Sequence, residues 1–560
     1  MPRAQAEAPA LRLMRVLLII ACLRGSQSCA LLVTNFDVDN RTLRQASEHL
    51  IPRGPDASSS ARPSGFTIYH RLLHMHGLRP ALQPYASTDG TRFAVFNGEI
   101  YNFREFERGT PFAADGESLL HAHERALHEH RGRSVGEVAA RFVESLDGEF
   151  ALVLLDLSAA TLLLGTDPFA TKPLFYALHA QRLAVATYKS ALLRLGFPES
   201  TTVEVAANTA IVIDTRTARV ISEERAVRWQ LGQTEGDTRM WRAAFARAVE
   251  KRALHSGPSV PIALTLSNGL DSGLLHCVLD RLRVPLWTYS IVGGGDPIEK
   301  IAARVAWANS TMRAHAIVLS SADMSREEAW LQSHLDVYRF QYMLLPKHRA
   351  IPIHRDNAAK GISYIYRHAR RRRRRLFLVG AGPDEHMSMY RPPTDYPALR
   401  PWPARGPLRT APFPNRSTLE GYFPWPTFYG NSMLGLLRRE EYIAGAYGIE
   451  SRYPFLDKEV VQEWLRLSPV LKNGRFKPPI VDMLAEECHG YPHTVYKVGY
   501  HVTSNRRQAS SFVGTFIREG ATASPSGNVT DCVIDAWSAV QEAAVVAMQD
   551  RRRHTRGISG

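Results

Sequence analysis

Residues 261–279 read PIALTLSNGLDSGLLHCVL: an apolar run, an Asn-Gly break, and a second apolar stretch with helical spacing. A strand that turns through Asn268 and Gly269 straight into a helix belongs to a parallel sheet. There the turn amides and the helix N-terminus stay free for a ligand. The surrounding pattern agrees. A helix (240–255) precedes it, and strand 286–292, helix 297–308 and strand 314–319 follow, an alternation that predicts βαβ units. The hydroxyls of Ser267 and Ser272 would face an anion. Asp271 is out of place in a plain phosphate cradle, and a divalent cation held by both carboxylate and pyrophosphate removes the conflict.

Alone, this loop is equally an ordinary strand-to-helix turn. A second loop decides between the readings. LFLVGAGPDEHMSMY (376–390) is another buried-type strand ending in Gly380 and Gly382, with Asp384 and Glu385 next. Two acid-bearing loops at the ends of parallel strands can share Mg²⁺, which makes Asp271 and Asp384 the candidate metal ligands. A third element, YGIESRYPFLDKEVV (447–461), sets Glu450, Arg452 and Asp457 around an apolar stretch.

The first half is different. FAVFNGEIYN (93–102), FALVLLDL (150–157), TLLLGTD (161–167), RLAVATY (182–188) and AIVID (210–214) are short strand-like runs bounded by turn residues. Residues 117–145 read as helix, giving a two-layer α+β domain, and the polar stretch 217–240 reads as a linker. The Pro-rich segment 390–414 is irregular surface, and the end from about residue 508 carries no readable motif.

Length and composition set outer bounds. With 560 residues and 45% apolar content the chain is long enough for two large domains or three ordinary ones, with proper cores. The five cysteines are too few and too scattered for a disulfide framework, and none shows metal-ligand spacing. The net charge of +15 invites a nucleic-acid reading, but much of it sits in runs at Arg370–Arg375 and Arg551–His554. No aromatic-interleaved basic motif accompanies them, so they read as solvated loop and tail, and nucleic acid is not an expected partner. No apolar stretch reaches the ~20 residues that span a bilayer. At the N-terminus, arginines precede VLLIIACL (16–23) and GSQS (25–28) follows. That is the form of a signal peptide cleaved before Cys29, and a mispredicted start is the alternative. IIAC (19–22) also passes as a lipoprotein box at Cys22. Four sequons (Asn40, Asn309, Asn415, Asn528) are compatible with secretion.

SNGLDS resembles the SGGLDS pyrophosphate loop of ATP pyrophosphatases. VGAGPDE and GIESRYPFLD resemble the SGEGADE and GxExRxPFLD segments of glutamine-hydrolysing asparagine synthetases. Upstream, RGPD (53–56), FNGEIYNF (96–103), DGEFALVLLD (147–156) and GTDPFATKPLFY (165–176) are similar to the class II amidotransferase domain of that family. The resemblance runs from Cys29 to about residue 505. It implies an N-terminal α+β Ntn-type amidotransferase domain (29–217) of two packed sheets with helices. An α/β parallel-sheet ATP-pyrophosphatase-like synthetase domain (240–505) follows, between a leader (1–28) and an unassigned basic tail (506–560).

The resemblance also implies chemistry. Cys29 would be a nucleophile activated by its own α-amine, because a free thiol of pKa ~8.5 is only a few per cent thiolate at neutral pH. That requires removal of residues 1–28. Arg71 would hold the glutamine carboxylate, Asn97 and Gly98 would form the oxyanion hole, and Glu99 and Asp115 would receive the substrate's polar groups. In the synthetase half, Ser267, Gly269, Asp271, Ser272, Gly380 and Asp384 would bind Mg-ATP and pyrophosphate. Leu266 and Ile291 would contact the adenine, and Glu450 and Lys477 would act in catalysis. The implied small-molecule partners are glutamine, aspartate and ATP, and a homodimer is compatible with them.

Departures from the family pattern are visible. Ala30 replaces a Gly, Thr166 an Arg, Asn268 a Gly and Gly273 a Ser; KPPIVDML (477–484) replaces a helix-like KxxLR. Ala381 replaces the Glu between the glycines of SGEGADE. That last change motivates a second reading, a relative that adenylates a different carboxylate. The burial of Cys29 in an unprocessed chain motivates a third, a non-catalytic binding protein. The family points to the cytosol and the leader to the secretory pathway or an organelle.

Overall fold

The computed structural model describes residues 27–75, 80–257, 260–292, 298–308, 312–340, 350–387 and 413–493, and the backbone of strand Phe512–Arg518. The leader before residue 27, most of the Pro-rich segment and the rest of the tail lie outside the described residues.

The N-terminal half is a sandwich of two six-stranded sheets, antiparallel in all their pairings. One contains strand Gln27–Thr34, flanked by Thr67–His74 and Arg182–Ala186. The other contains Arg92–Ile100, Gly148–Asp156 and Thr161–Thr166 side by side. Strand Gly148–Asp156 has no polar alternation because both its faces are covered. Phe150, Leu152 and Leu154 pack under the helices, while Ala151, Val153 and Leu155 meet the facing sheet. The helix read over 117–145 is two helices, Ser118–Glu129 and Val135–Ser145, parted by a turn in which Gly132 takes φ +82°. The second helix starts on a capping box between Ser134 and Glu137. Strand Arg219–Arg225 pairs with Thr209–Asp214, so the first domain continues into the stretch read as linker.

In the C-terminal half five parallel strands run in the order Glu450–Arg452, Leu376–Leu378, Ile262–Thr265, Leu286–Ile291, Met312–Val318. Strand Phe512–Arg518, in the segment read as tail, adds to the last of these antiparallel. From Ile262–Thr265 the chain first builds outward on one side and later returns to the other. The switch point therefore lies between Ile262–Thr265 and Leu376–Leu378, and each of these strands is followed by an acid-bearing loop.

The helix Arg239–Leu254 seals one face with a stack in which Phe245 lies 5.2 Å from Trp241 and 4.4 Å from Phe455. Each such ring buried contributes roughly 2–3 kcal/mol. The two halves share a core. Leu32 and Tyr188 of the first half belong to one buried cluster with Tyr289, Ile365 and Tyr442 of the second, and the rings of Tyr188 and Tyr442 are 4.7 Å apart.

Candidate active site

Cys29 lies within its strand, fully buried, opposite Leu72. Its backbone nitrogen donates to Asn97 Oδ1 at 3.1 Å, and Gln83 Nε2 donates to its Sγ at 3.6 Å. The other end of the Gln83 amide accepts from Phe96 N at 2.7 Å, which fixes its orientation. Asn97 Nδ2 is buried without a hydrogen-bond partner among the described residues, leaving one donor of the predicted oxyanion hole free beside the thiol. Gly98 has φ +127°, and a Cβ there would fall 1.8 Å from the Glu149 carbonyl oxygen, so no other residue fits that position. Burial pushes the Cys29 thiol pKa well up. A backbone contact from Leu73 opposes this, and Glu99, Asp115 and Glu450 reinforce it.

Glu99 and Asp115 are brought to this site, but each is already engaged. Glu99 Oε1 lies 3.0 Å from Arg452 Nη2, and Glu99 Oε2 lies 2.8 Å from His255 Nε2. Asp115 Oδ2 accepts from Ile100 N at 2.8 Å and lies 3.7 Å from the same imidazole. Burial works against a charged His255, yet the two carboxylates prevail and raise its pKa to about 9. Arg71 is not brought to the thiol. It stands opposite Ala30, one residue out of the Cys29–Leu72 register and so on the other face of the sheet, and its Nε donates to Gly54 O at 2.8 Å.

Glu450 also departs from expectation. It begins its strand, away from the nucleotide loops, and joins the Cys29 cluster. Its Oε1 bonds Arg452 Nε at 2.5 Å. Burial, opposed chiefly by Arg452, raises its pKa to about 7. A second buried group closes the interface: Arg53 donates to the Cys29 carbonyl at 3.2 Å and pairs with Glu441, which also accepts from Lys172 Nζ at 2.7 Å.

The nucleotide loops converge at the carboxyl edge of the parallel sheet. Ser267 Oγ and Ser272 Oγ are 2.9 Å apart, and Gly269 N donates to Ser267 Oγ at 3.1 Å. The loop bearing Gly380 packs so closely that a Cβ there would lie 3.3 Å from Ser272 N. Lys477, left-handed at φ +45°, reaches both loops, with Nζ 2.6 Å from Asp271 Oδ2 and 2.6 Å from Asp384 Oδ1. Burial raises the pKa of neighbouring Glu385 to about 8, so this carboxyl is mostly neutral at pH 7. Leu266 and Ile291 are both buried at the carboxyl ends of neighbouring strands, with Leu266 N bonded to the Tyr289 carbonyl at 2.9 Å.

Three groups here had no sequence signal. His255 and Arg304 lie in no motif, and the Cys277–Cys488 disulfide joins residues 211 apart. Arg304 is fully buried and holds the pyrophosphate-type loop from behind, bonding the carbonyls of Ser267, Asn268 (3.0 Å) and Gly269 (3.0 Å). It also accounts for Gly273, where a Cβ would lie 3.1 Å from the guanidinium. The disulfide ties the helix that starts at the loop, Leu270–Arg281, to the end of the helix that starts after Lys477, Pro478–Glu487.

A buried cysteine under an amide donor in a two-sheet sandwich, joined to a switch-point loop pair with a bridging lysine, defines a two-domain amidotransferase–synthetase. Family comparisons agree. Residues 28–223 match the glutamine amidotransferase domain and residues 240–424 match asparagine synthase. The chain is 25% identical over 469 residues to the glutamine-hydrolysing asparagine synthetase of Gallus gallus, covering 75% of this chain and 74% of that protein. The Homo sapiens enzyme is 24% identical over 469 residues, with the same coverage. A probable asparagine synthetase of Dictyostelium discoideum is 31% identical over 136 residues, covering 24% and 23% of the two chains. Among solved structures, the glutamine phosphoribosylpyrophosphate amidotransferase of B. subtilis aligns over 52% of this chain and 81% of that one. At 12% identity and a TM-score of 0.29, that likeness is too loose to carry an argument. The chain belongs to the glutamine-hydrolysing asparagine synthetase family, as a divergent member.

Proposed function

We propose that the chain hydrolyses glutamine at Cys29 and passes the ammonia to a carboxylate that it activates with ATP, aspartate being the acceptor the relatives' names point to. The observation that carries this is Asn97, whose Oδ1 accepts from the Cys29 nitrogen while its Nδ2 stays buried and unbonded. That nitrogen is an amide here. Once residues 1–28 are removed it becomes an α-amine of pKa ~7.7–8, able to take the thiol proton. The thiolate then attacks the glutamine amide carbon, with Asn97 Nδ2 bonding the developing oxyanion. Ammonia leaves, and water cleaves the thioester to glutamate.

In the second half a carboxylate oxygen attacks the α-phosphorus of ATP and pyrophosphate leaves. Ammonia then displaces AMP from the acyl-adenylate. Lys477 sits where it can offset charge on the α-phosphate and pyrophosphate, and the Ser267–Ser272 turn offers amides and hydroxyls to the leaving group. The hard oxygen donors of Asp271 and Asp384 suit Mg²⁺, both being partly exposed and both within reach of the Lys477 ammonium. When bound, that ion would neutralise pyrophosphate charge. We also propose maturation in an oxidising compartment, because a buried disulfide is stable there and the leader reading leads to the same place.

The test compares chains beginning at Cys29 and at Ser28, each given ATP, Mg²⁺ and aspartate. The first should form AMP with glutamine or with ammonium salts, the second with ammonium salts only. AMP formation with another carboxylate, and none with aspartate, would transfer the reading to the divergent acceptor that Ala381 motivates. No AMP with any carboxylate would overturn it.

A further inference from the structure

The arginine run at 370–375 has no part in either half-site. It lies on helix Asn357–Arg371 and in the turn that feeds strand Leu376–Leu378, at the amino edge of the parallel sheet. The nucleotide loops occupy the opposite, carboxyl edge. The middle of the run is the exposed turn that its composition suggests, and its end packs against the sheet. Arg313, from strand Met312–Val318 three places along the sheet, joins it through Trp287, which pairs with Arg313 in register. The Trp287 ring carries two guanidiniums, Arg374 at 4.2 Å and Arg313 at 4.8 Å, and stacks on His315 at 5.5 Å. Residues 371, 372 and 373 are exposed.

This charge is only partly compensated. Within the run only Arg375 has a carboxylate partner among the described residues, Asp56 at 2.6 Å. Arg374 Nε is buried with no hydrogen-bond partner among the described residues. Burial, with neighbouring guanidiniums, pulls the pKa values of Arg370 and Arg374 below the ordinary arginine value. Folding has gathered like charges from two separate chain segments with Asp56 as the one carboxylate paired to the run among the described residues, an arrangement that anions stabilise.

We infer that this edge binds the phosphate backbone of a single-stranded nucleic acid, through Arg313 and Arg371–Arg374. Guanidinium forks match phosphate oxygens two to one, and a chain of phosphates matches a row of such forks. The one aromatic ring, Trp287, is covered by two guanidiniums, so it offers no free face for base stacking, and the contact carries little sequence preference.

The experiment is fluorescence polarisation of the full chain with a labelled mixed-sequence RNA of about 20 nucleotides, titrated from about 50 mM salt upward. The wild type should bind with affinity that falls linearly on a log–log salt plot. The triple variant Arg371→Gln/Arg372→Gln/Arg373→Gln should flatten the slope by about 2, at roughly 0.7 per lost phosphate contact, and weaken binding at least tenfold. Arg313→Gln, far away in sequence, should flatten it by about 0.7. The corresponding lysine triple, which keeps the charge, should retain the slope. Failure of the wild type to bind would overturn the inference, as would an unchanged slope in both glutamine variants or a loss confined to the triple. Binding of phosphatidylserine vesicles in place of RNA would overturn it in favour of a membrane surface.

Discussion

Arg452 of the synthetase half and Glu99 of the amidotransferase half form a fully buried ion pair, Nη2 to Oε1 at 3.0 Å. The same guanidinium bonds Glu450 at 2.5 Å, Ser256 Oγ at 2.7 Å and the Arg252 carbonyl at 2.6 Å. One cation thus serves a carboxylate beside the nucleophile and a carboxylate of the second sheet. The two halves are joined by charge beside Cys29.

Removing that cation takes a buried counter-charge away from both carboxylates. Arg452→Met should lower unfolding free energy by about 3–5 kcal/mol, the usual result of breaking a buried pair from one side. Adding Glu99→Gln should recover part of the loss. Urea unfolding of the single and double variants measures both numbers, and an unchanged midpoint in Arg452→Met would show that the pair holds nothing together.

His255 makes stability depend on pH. Its folded pKa of about 9 lies above the unfolded value near 6.5, so the stabilisation from its contacts with Glu99 and Asp115 is complete below about pH 6.5. It is lost as pH rises through 9, an effect on the order of 3 kcal/mol at full extent. Unfolding free energy measured from pH 6.5 to 9.5 should therefore fall more steeply in the wild type than in His255→Gln.

Gly273→Ser restores the residue typical of the family and should nevertheless harm this chain. The new Cβ would lie 3.1 Å from the Arg304 guanidinium, which must move by a few tenths of an ångström and so loosen its bonds to the carbonyls of Ser267, Asn268 and Gly269. The expected result is a several-fold rise in the KM for ATP with glutaminase activity unchanged. Adding Arg304→Ala relieves the crowding but leaves the loop unsupported, so it should not restore affinity.

The Cys277–Cys488 bridge joins residues 211 apart, for which the chain-entropy argument gives about 5 kcal/mol of stabilisation. Cys277→Ala/Cys488→Ala should lower the Tm of the chain and make it insensitive to reductant. Because the bridge ties the helix after Lys477 to the helix after the Ser267 loop, AMP formation should fall more than glutamine hydrolysis.

Most of the architecture was readable in the sequence because each piece is set locally. An uninterrupted apolar run such as Gly148–Asp156 needs cover on both faces, and SNGLDS after an apolar strand needs the end of a parallel strand. The positions of Cys29, Asn97, Gly98 and Asp115 followed from motifs for the same reason. The strand Arg219–Arg225 was missed because its alternation of charge and small polar residues resembles a linker; pairing with Thr209–Asp214 makes it an edge strand. Arg71 and Glu450 were assigned by motif alone, and only register shows where each stands relative to Cys29. A one-residue offset turns Arg71 to the other face of its sheet, and the start of a strand points Glu450 toward the glutaminase half.

By itself the sequence determined which chemistry is available: a thiol with an amide donor, two acid-bearing loops at strand ends, and a lysine between prolines and glycine. Only the tertiary structure decided which charges neutralise one another. Glu99 meets Arg452 and His255, Lys477 meets Asp271 and Asp384, and Arg304 meets the loop of Ser267, across separations from tens to hundreds of residues. The physical reason is that a motif specifies backbone conformation over a few residues, whereas a buried charge must find a counter-charge wherever packing of the whole chain brings one.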